Sequence, residues 1–227
     1  MVALVPCLVV FDVDGTLVDS QASIIRGFTS AFEAAGLMPP SAEAIRRGVG
    51  LSMENAISRL LPEADPDLVQ RMALSCREAV WTLRQDPDHE EPLYPGAIEA
   101  LDDLRDCGML LGIATGKGHR GLGLFLERHG LVGRFAAMQT ADDAASKPSP
   151  EMLYNLMAET GIDQARALMV GDTSFDMEMA RAARIGAVGV GWGYHPPSEL
   201  IAAGARQVLD HFAQLPPLAA ELFLVEA

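Results

Sequence analysis

Short apolar runs alternate with helical periodicity along most of the chain. Leu8-Val-Val-Phe11, Leu110–Thr115, Ala167–Gly171 and Ala187–Gly191 are apolar and bounded by glycine or polar residues, which predicts strands buried on both faces. Ala136–Thr140 and Arg206–Leu209 are weaker strand candidates. Between them the spacing predicts helices over Ala97–Cys107, Leu122–His129, Pro150–Thr160 and Phe175–Ala183. Pro150 suits a first helical position, with Ser149 before it as cap. Strands alternating with helices imply a mostly parallel sheet wound on both faces.

The stretch from Asp19 to Pro92 breaks that alternation. Ser20 can cap a helix whose apolar residues fall at Ile24, Ile25, Phe28, Phe32 and Ala35 and which ends near Gly36. Phe28 and Phe32 belong against their own neighbours rather than a partner. Helical patterns follow at Ala42–Arg47, Met53–Leu61 and Asp67–Leu83, and Gln85–Pro95 has the charge and proline of a linker. The expected organisation is a discontinuous α/β core, residues 1–18 and 92–227, carrying an all-helical insert at 19–91.

Composition narrows the classes. With 227 residues, 49% of them hydrophobic, the chain can bury a full core and is not disordered. A net charge of −14 argues against a nucleic-acid partner, since that binding is driven by Lys and Arg. No apolar run is long enough to span a membrane, and the short stretch from Leu4 to Phe11 lacks the features of a secretory signal. Cys7, Cys76 and Cys107 lack metal-type pairing and are expected to be reduced and mostly buried, as in a cytoplasmic protein.

Four segments carry candidate chemistry, each at an expected C-terminal strand end, where parallel sheets bind ligands. In Phe11-Asp-Val-Asp-Gly-Thr16, Asp12 and Asp14 stand two residues apart, before a turn that Gly15 permits and in which Thr16 can bond locally. Such a pair suits a Mg²⁺ ion, with one acid as nucleophile toward phosphorus and the other as proton donor. A capped turn with solvated acids is the alternative for this segment on its own. Thr115, Gly116 and Gly118 offer a hydroxyl and open backbone N–H groups to an anion, or a plain helix cap. Lys147 precedes a proline-rich turn and is either a charge-balancing cation or a surface lysine. Asp172 and Asp176 are spaced to face one metal, or else Asp172 and Ser174 cap a helix.

Taken together and in this order, the four segments resemble the haloacid dehalogenase superfamily from Leu8 to Gly191, with the helical insert at the place of that superfamily's first-type cap. The resemblance implies a Rossmann-like core and a Mg²⁺-dependent phosphatase. Asp12 is then the nucleophile that forms an aspartyl-phosphate, its other oxygen on Mg²⁺. Asp14 is the general acid and base, its carbonyl on the metal. Thr115 and the Gly116 N–H hold the phosphoryl oxygens, and Lys147 balances charge. Asp172 completes the protein ligands, and Asp176 stands behind it or reaches the metal through water. Many relatives have Asn where this chain has Gly116, so one side-chain contact is missing.

The resembling dehalogenases carry Tyr and the phosphonate-cleaving relatives Ala in place of Asp14, so Asp14 argues for phosphate esters. The first motif, the helical cap and Gly48-Val-Gly50 look most like phosphoglycolate phosphatases. The implied substrate is a small phosphorylated metabolite, the partner is neither nucleic acid nor membrane, and the protein is a monomer or homodimer. A sugar-phosphate mutase, nucleotidase or pyrophosphatase of the same fold, and more distantly a phospho-accepting receiver module, are the alternatives. Arg46 and Arg47 are candidates to hold a substrate carboxylate, or are cations at a helix C-terminus. Lys117, His119 and Arg120 are expected at the surface, with added positive charge at the rim as the alternative, and His195 in a loop near the site edge.

Overall fold

The computed structural model describes residues 6–86 and 89–225. Part of the apolar N-terminal stretch and residues 87–88 of the linker lie outside the described residues.

Six strands form one parallel sheet: β1 (Leu8–Phe11), β2 (Leu110–Ala114), β3 (Ala137–Gln139), β4 (Ala167–Gly171), β5 (Gly186–Val190) and β6 (Gln207–Leu209), in the order β3-β2-β1-β4-β5-β6. The strong apolar runs became the four inner strands and the weaker candidates became three-residue edges. Successive side chains of a strand point to opposite faces. Accordingly Val9 and Phe11 enter one apolar layer with Leu111, Ile113 and Val170, while Leu8 and Val10 enter the other with Met169 and Ala187. Helices α5 (Ala97–Asp106), α6 (His119–Arg128) and α10 (Leu215–Val225) cover the first face; α7 (Glu151–Thr160), α8 (Ser174–Ala183) and α9 (Pro197–Ala203) cover the second. Pro150 sits just before α7 rather than inside it, and the Ser149 hydroxyl accepts from the Glu151 N–H at 3.4 Å.

Between β1 and α5 lie the four cap helices, α1 (Gln21–Ala34), α2 (Ala42–Arg46), α3 (Met53–Leu60) and α4 (Pro66–Gln85). They bury a third apolar cluster of their own, with Ile24, Phe28, Phe32, Ile45, Ile57 and Met72. Phe28 and Phe32 therefore pack inside the insert. Asp65 caps α4 through its carboxylate and Pro66 opens it. Ser20 stands at the start of α1 but does not cap it, because its hydroxyl donates to Asp14. The two crossings between insert and core run side by side: the Asp19 N–H bonds the Pro92 carbonyl at 2.9 Å and the Tyr94 N–H bonds the Leu17 carbonyl at 3.0 Å.

Only one cysteine is fully buried. Cys76 lies in the insert core, Cys7 is half-buried and Cys107 is exposed at the end of α5, which corrects the expectation of three mostly buried thiols. Among the described residues no helix is long and apolar enough to cross a membrane.

Candidate functional site

β1 lies between β2 and β4, and the chain winds outward in both directions from it. This is the point where a parallel sheet opens a crevice at its C-terminal edge. Asp12 follows β1 directly, and its N–H donates to the Val170 carbonyl at 3.0 Å, which pins it beside the end of β4. Asp172 follows β4 and Thr115 follows β2, both fully buried. Gly15 turns the chain with φ +80°, and a Cβ there would meet Asp172 Oδ2 at 2.3 Å. The Thr16 hydroxyl does not bond locally; it reaches across to Asp172 Oδ1 at 2.8 Å, and the Tyr194 N–H donates to Asp172 Oδ2 at 2.9 Å.

Asp12, Asp172 and Asp176 each place one carboxylate oxygen within 4.8 Å of the others, all three buried. Lys147, 0% exposed, bridges two of them, 3.0 Å from Asp12 Oδ1 and 2.7 Å from Asp176 Oδ1. Burial alone would weaken the lysine as a base, but the two carboxylates outweigh it and hold the ammonium above its ordinary value. Lys147 is thus a buried countercharge, not a surface residue. One cation among three buried acids leaves an excess of negative charge. Burial, offset in part by Lys147 and reinforced by Asp176, pushes Asp12 up to about 7. Burial and then the charges of Asp12 and Asp176 push Asp172 well above the carboxylate range. Asp12 Oδ1 accepts from the Val13 N–H at 2.7 Å, whereas Oδ2 is buried with no hydrogen-bond partner. An orphaned oxygen in a triad of acids fits a hard divalent cation. Asp176 is the most occupied of the three: Oδ2 takes the N–H and hydroxyl of Thr173 at 3.0 and 2.7 Å and so ties down the start of α8. That capping role belongs to Asp176 and Thr173, not to Asp172 or Ser174.

Asp14 faces different partners. Its Oδ1 accepts from Ser20 and from Lys117 Nζ, the latter at 2.6 Å, with Arg84 Nη2 at 3.6 Å. Burial would raise this carboxyl; Lys117 and Arg84, helped by the two hydrogen bonds, bring it below its ordinary value. Lys117 is buried, contrary to the surface expectation, and burial together with Arg84 lowers its own value despite Asp14. Asp12, Asp14, Lys117 and Arg84 line a cavity of about 200 Å³ between insert and core, which Phe28, Ile45 and Trp81 close on its apolar side.

The insert meets the core closely at Gly116. A Cβ there would come within 2.4 Å of the Leu51 carbonyl oxygen and 2.9 Å of the Gly50 oxygen. The absent side chain makes room for the 50–51 backbone in the site. Arg46 and Arg47, in contrast, do not line the cavity. Arg46 bonds the Ala42 carbonyl, and Arg47 forms a two-pronged pair with Glu199 at 2.6 and 2.9 Å on the outer seam between insert and core. Of the other rim candidates, His119 is exposed beside Asp142 and Asp143, and Arg120 lines the cavity while stacking over Trp81. His195 is a buried loop residue whose Nδ1 accepts from the Ser174 N–H at 3.1 Å, steadying the same helix start as Asp176. Arg84, Ser20 and Tyr194 had not been expected at the site. The sequence marks Ser20 only as a helix start, and Arg84 only as a cation between the expected helix end at Leu83 and the linker at Gln85.

Residues 9–190 match the family model described as haloacid dehalogenase-like hydrolase. A Dickeya dadantii protein named "Probable phosphatase IndB" is 35% identical over 92% of this chain and 91% of its own length. The phosphoglycolate phosphatase of Agrobacterium fabrum is 34% identical, again over 92% and 91%. Among solved structures, a hydrolase from Pseudomonas syringae superposes with a TM-score of 0.84 at 26% identity, covering 95% of this chain and 98% of the other. A family match across most of the core, with the buried acids and lysine collected at one sheet edge, places this chain in the haloacid dehalogenase-like hydrolases, as a phosphatase under a helical cap.

Proposed function

We propose that this phosphatase hydrolyses phosphomonoesters of small metabolites, phosphoglycolate among them, through an aspartyl-phosphate on Asp12. The observation that carries the reading is Asp12 itself: one oxygen is held by Lys147 and the Val13 N–H, the other is buried and unpaired, and the carboxylate belongs to a buried cluster with Asp172 and Asp176. Asp12, Asp172 and the Asp14 carbonyl would hold Mg²⁺, with Asp176 behind them. The bound ion would neutralise the excess negative charge of the site and of the phosphate.

The chain's own residues supply the rest. A carboxylate oxygen of Asp12 attacks phosphorus, the bond to the ester oxygen breaks, and Asp14 gives that oxygen its proton. Water then attacks the phosphorus of the acyl phosphate and yields its proton to Asp14, and the bond to Asp12 breaks, releasing inorganic phosphate. Thr115 and the Gly116 N–H are assigned to the phosphoryl oxygens and Lys147 to their charge. Residues 19–91 act as a cap that pivots on the paired crossings at 17–19 and 92–94 and excludes water when closed. We infer a cytoplasmic setting.

The test is phosphate release from a panel of esters that includes phosphoglycolate, a hexose phosphate, a nucleotide and pyrophosphate, with Mg²⁺ and with chelator. Release from phosphoglycolate that disappears in chelator and in Asp12→Asn is the expected result. Isomerisation of the sugar phosphate with negligible phosphate release would replace this reading by a mutase.

A further inference from the structure

Arg84 ends the cap helix α4 with its side chain nine-tenths buried. Its Nε donates to both oxygens of Glu91, at 2.9 and 3.0 Å, which fixes the plane of the guanidinium. Its Nη2 is buried without a hydrogen-bond partner. The Asp14 carboxylate stands 3.6 Å away, near enough for attraction but too far for a hydrogen bond. A purely structural arginine, tying the cap to Glu91 and Asp14, accounts for Nε and for the charge. It does not account for an oriented donor left unpaired, since buried charged donors are costly when unsatisfied. Lys117 enters from the loop after β2 and places its ammonium on the same carboxylate at 2.6 Å. Two cations, one from the cap and one from the core, thus meet on one wall of the cavity that also reaches Asp12.

Lys147 and Asp12 mark the place of the transferring phosphoryl group. Arg84 and Lys117 cluster instead around Asp14, the side from which the alcohol leaves. We propose that Arg84, with Lys117 beside it, binds a carboxylate on the leaving-group half of the substrate, so that the enzyme selects short phosphorylated hydroxy acids over neutral alkyl phosphates and sugar phosphates. The forked donors of a guanidinium suit a carboxylate, and the Glu91 tether holds them in place before the ligand arrives. The inference rests on the phosphatase reading only for which half of the substrate lies there; the anion site stands on its own geometry.

The test measures binding, which needs no turnover. Calorimetric titration in Mg²⁺ compares 3-phosphonopropionate, the non-hydrolysable carbon isostere of phosphoglycolate, with propylphosphonate, which lacks the carboxylate. Wild type should bind the carboxylate ligand about tenfold to a hundredfold more tightly, the range for a charge-assisted hydrogen bond. Arg84→Gln should reduce that ratio to within about threefold, and Arg84→Lys should retain an intermediate ratio. Equal binding of the two ligands by wild type overturns the proposal, as does an undiminished ratio in Arg84→Gln. If Arg84→Gln does not fold, judged by its circular dichroism, the wild-type ratio and that of Arg84→Lys decide the matter. A ratio that behaves as expected in an enzyme releasing no phosphate from phosphoglycolate would sink phosphoglycolate as a substrate and leave the carboxylate site standing.

Discussion

Asp12 should make the metal-free protein less stable as the solution becomes less acidic, and Asp12→Asn should weaken that dependence. In the folded chain the carboxyl is pushed from 3.8 to about 7, by burial first, and Asp172 is raised with it. The unfolded chain gives up the Asp12 proton near its ordinary value while the folded chain keeps it. Folding is therefore unpenalised below about pH 4, loses stability as the pH rises toward 7, and stays at the lower level beyond. The displacement from 3.8 to about 7 corresponds to about 4 kcal/mol, or roughly 8–16 °C in melting temperature for a chain of this size. His129 and His195, both lowered chiefly by burial, act in the opposite direction across part of that window, because their unfolded forms bind the proton more readily. Urea unfolding of wild type and Asp12→Asn, both stripped of metal, from pH 4.5 to 7.5 cancels the histidine contribution in the difference. The wild type should fall relative to the variant by about 3 kcal/mol across this range, the rest of the loss lying below pH 4.5. Saturating Mg²⁺ should flatten the difference, since a cation on the triad favours the ionised acid. Two curves that run parallel without metal would show that Asp12 is not strained by its neighbours, and the electrostatic account of the site would fail.

Gly116→Asn should lower kcat/KM about tenfold or more, because the new Cβ falls 2.4 Å from the Leu51 oxygen and the cap must shift to admit it; saturation kinetics with a small acidic ester check this. Arg47→Ala should leave KM unchanged and alter stability by no more than about 1 kcal/mol, since its pair with Glu199 is two-fifths exposed on both sides and lies off the cavity; a rise in KM would restore Arg47 as a substrate ligand.

The chemical half of the site was legible because each of its residues follows a strand. Asp12, Thr115 and Asp172 are the first polar residues after apolar runs, and a parallel sheet brings those ends to one edge whatever else the chain does. The selective half was not legible. Arg46, Arg47 and Arg84 all stand in or just after the last turn of a cap helix, where cations are favoured in any protein. Only the docking of the cap on the core turns Arg84 inward and leaves Arg47 on the outer seam. Lys117 misled for a related reason: next to exposed His119 it reads as one of a polar rim, yet Asp14 draws it in. Helices α9 and α10 leave little trace in the sequence because Pro196-Pro197 and Pro216-Pro217 look like breaks. Proline is tolerated in a first turn, and α10 is too evenly apolar to show a polar stripe.

Asp14 has two tasks that its surroundings favour unequally, and this gives a test of the role assigned to it. Held by Lys117 and Arg84 below its ordinary value, it is ionised at neutral pH in the ligand-free enzyme. In that state it is ready to take a proton from water, the second step, and unready to give one to a leaving alcohol, the first. An alkyl ester needs both services. A nitrophenyl ester needs only the second, because its phenolate leaves without a proton. Asp14→Asn should therefore reduce turnover of an alkyl ester by about 10²–10⁴-fold with no initial burst. On p-nitrophenyl phosphate the same variant should release close to one equivalent of phenol per enzyme rapidly and then slow down, as the phosphorylated Asp12 waits for a base. Stopped-flow absorbance resolves the two phases. A variant that loses both phases alike would show that Asp14 serves to position Ser20 and Lys117 around the site and moves no proton in either step.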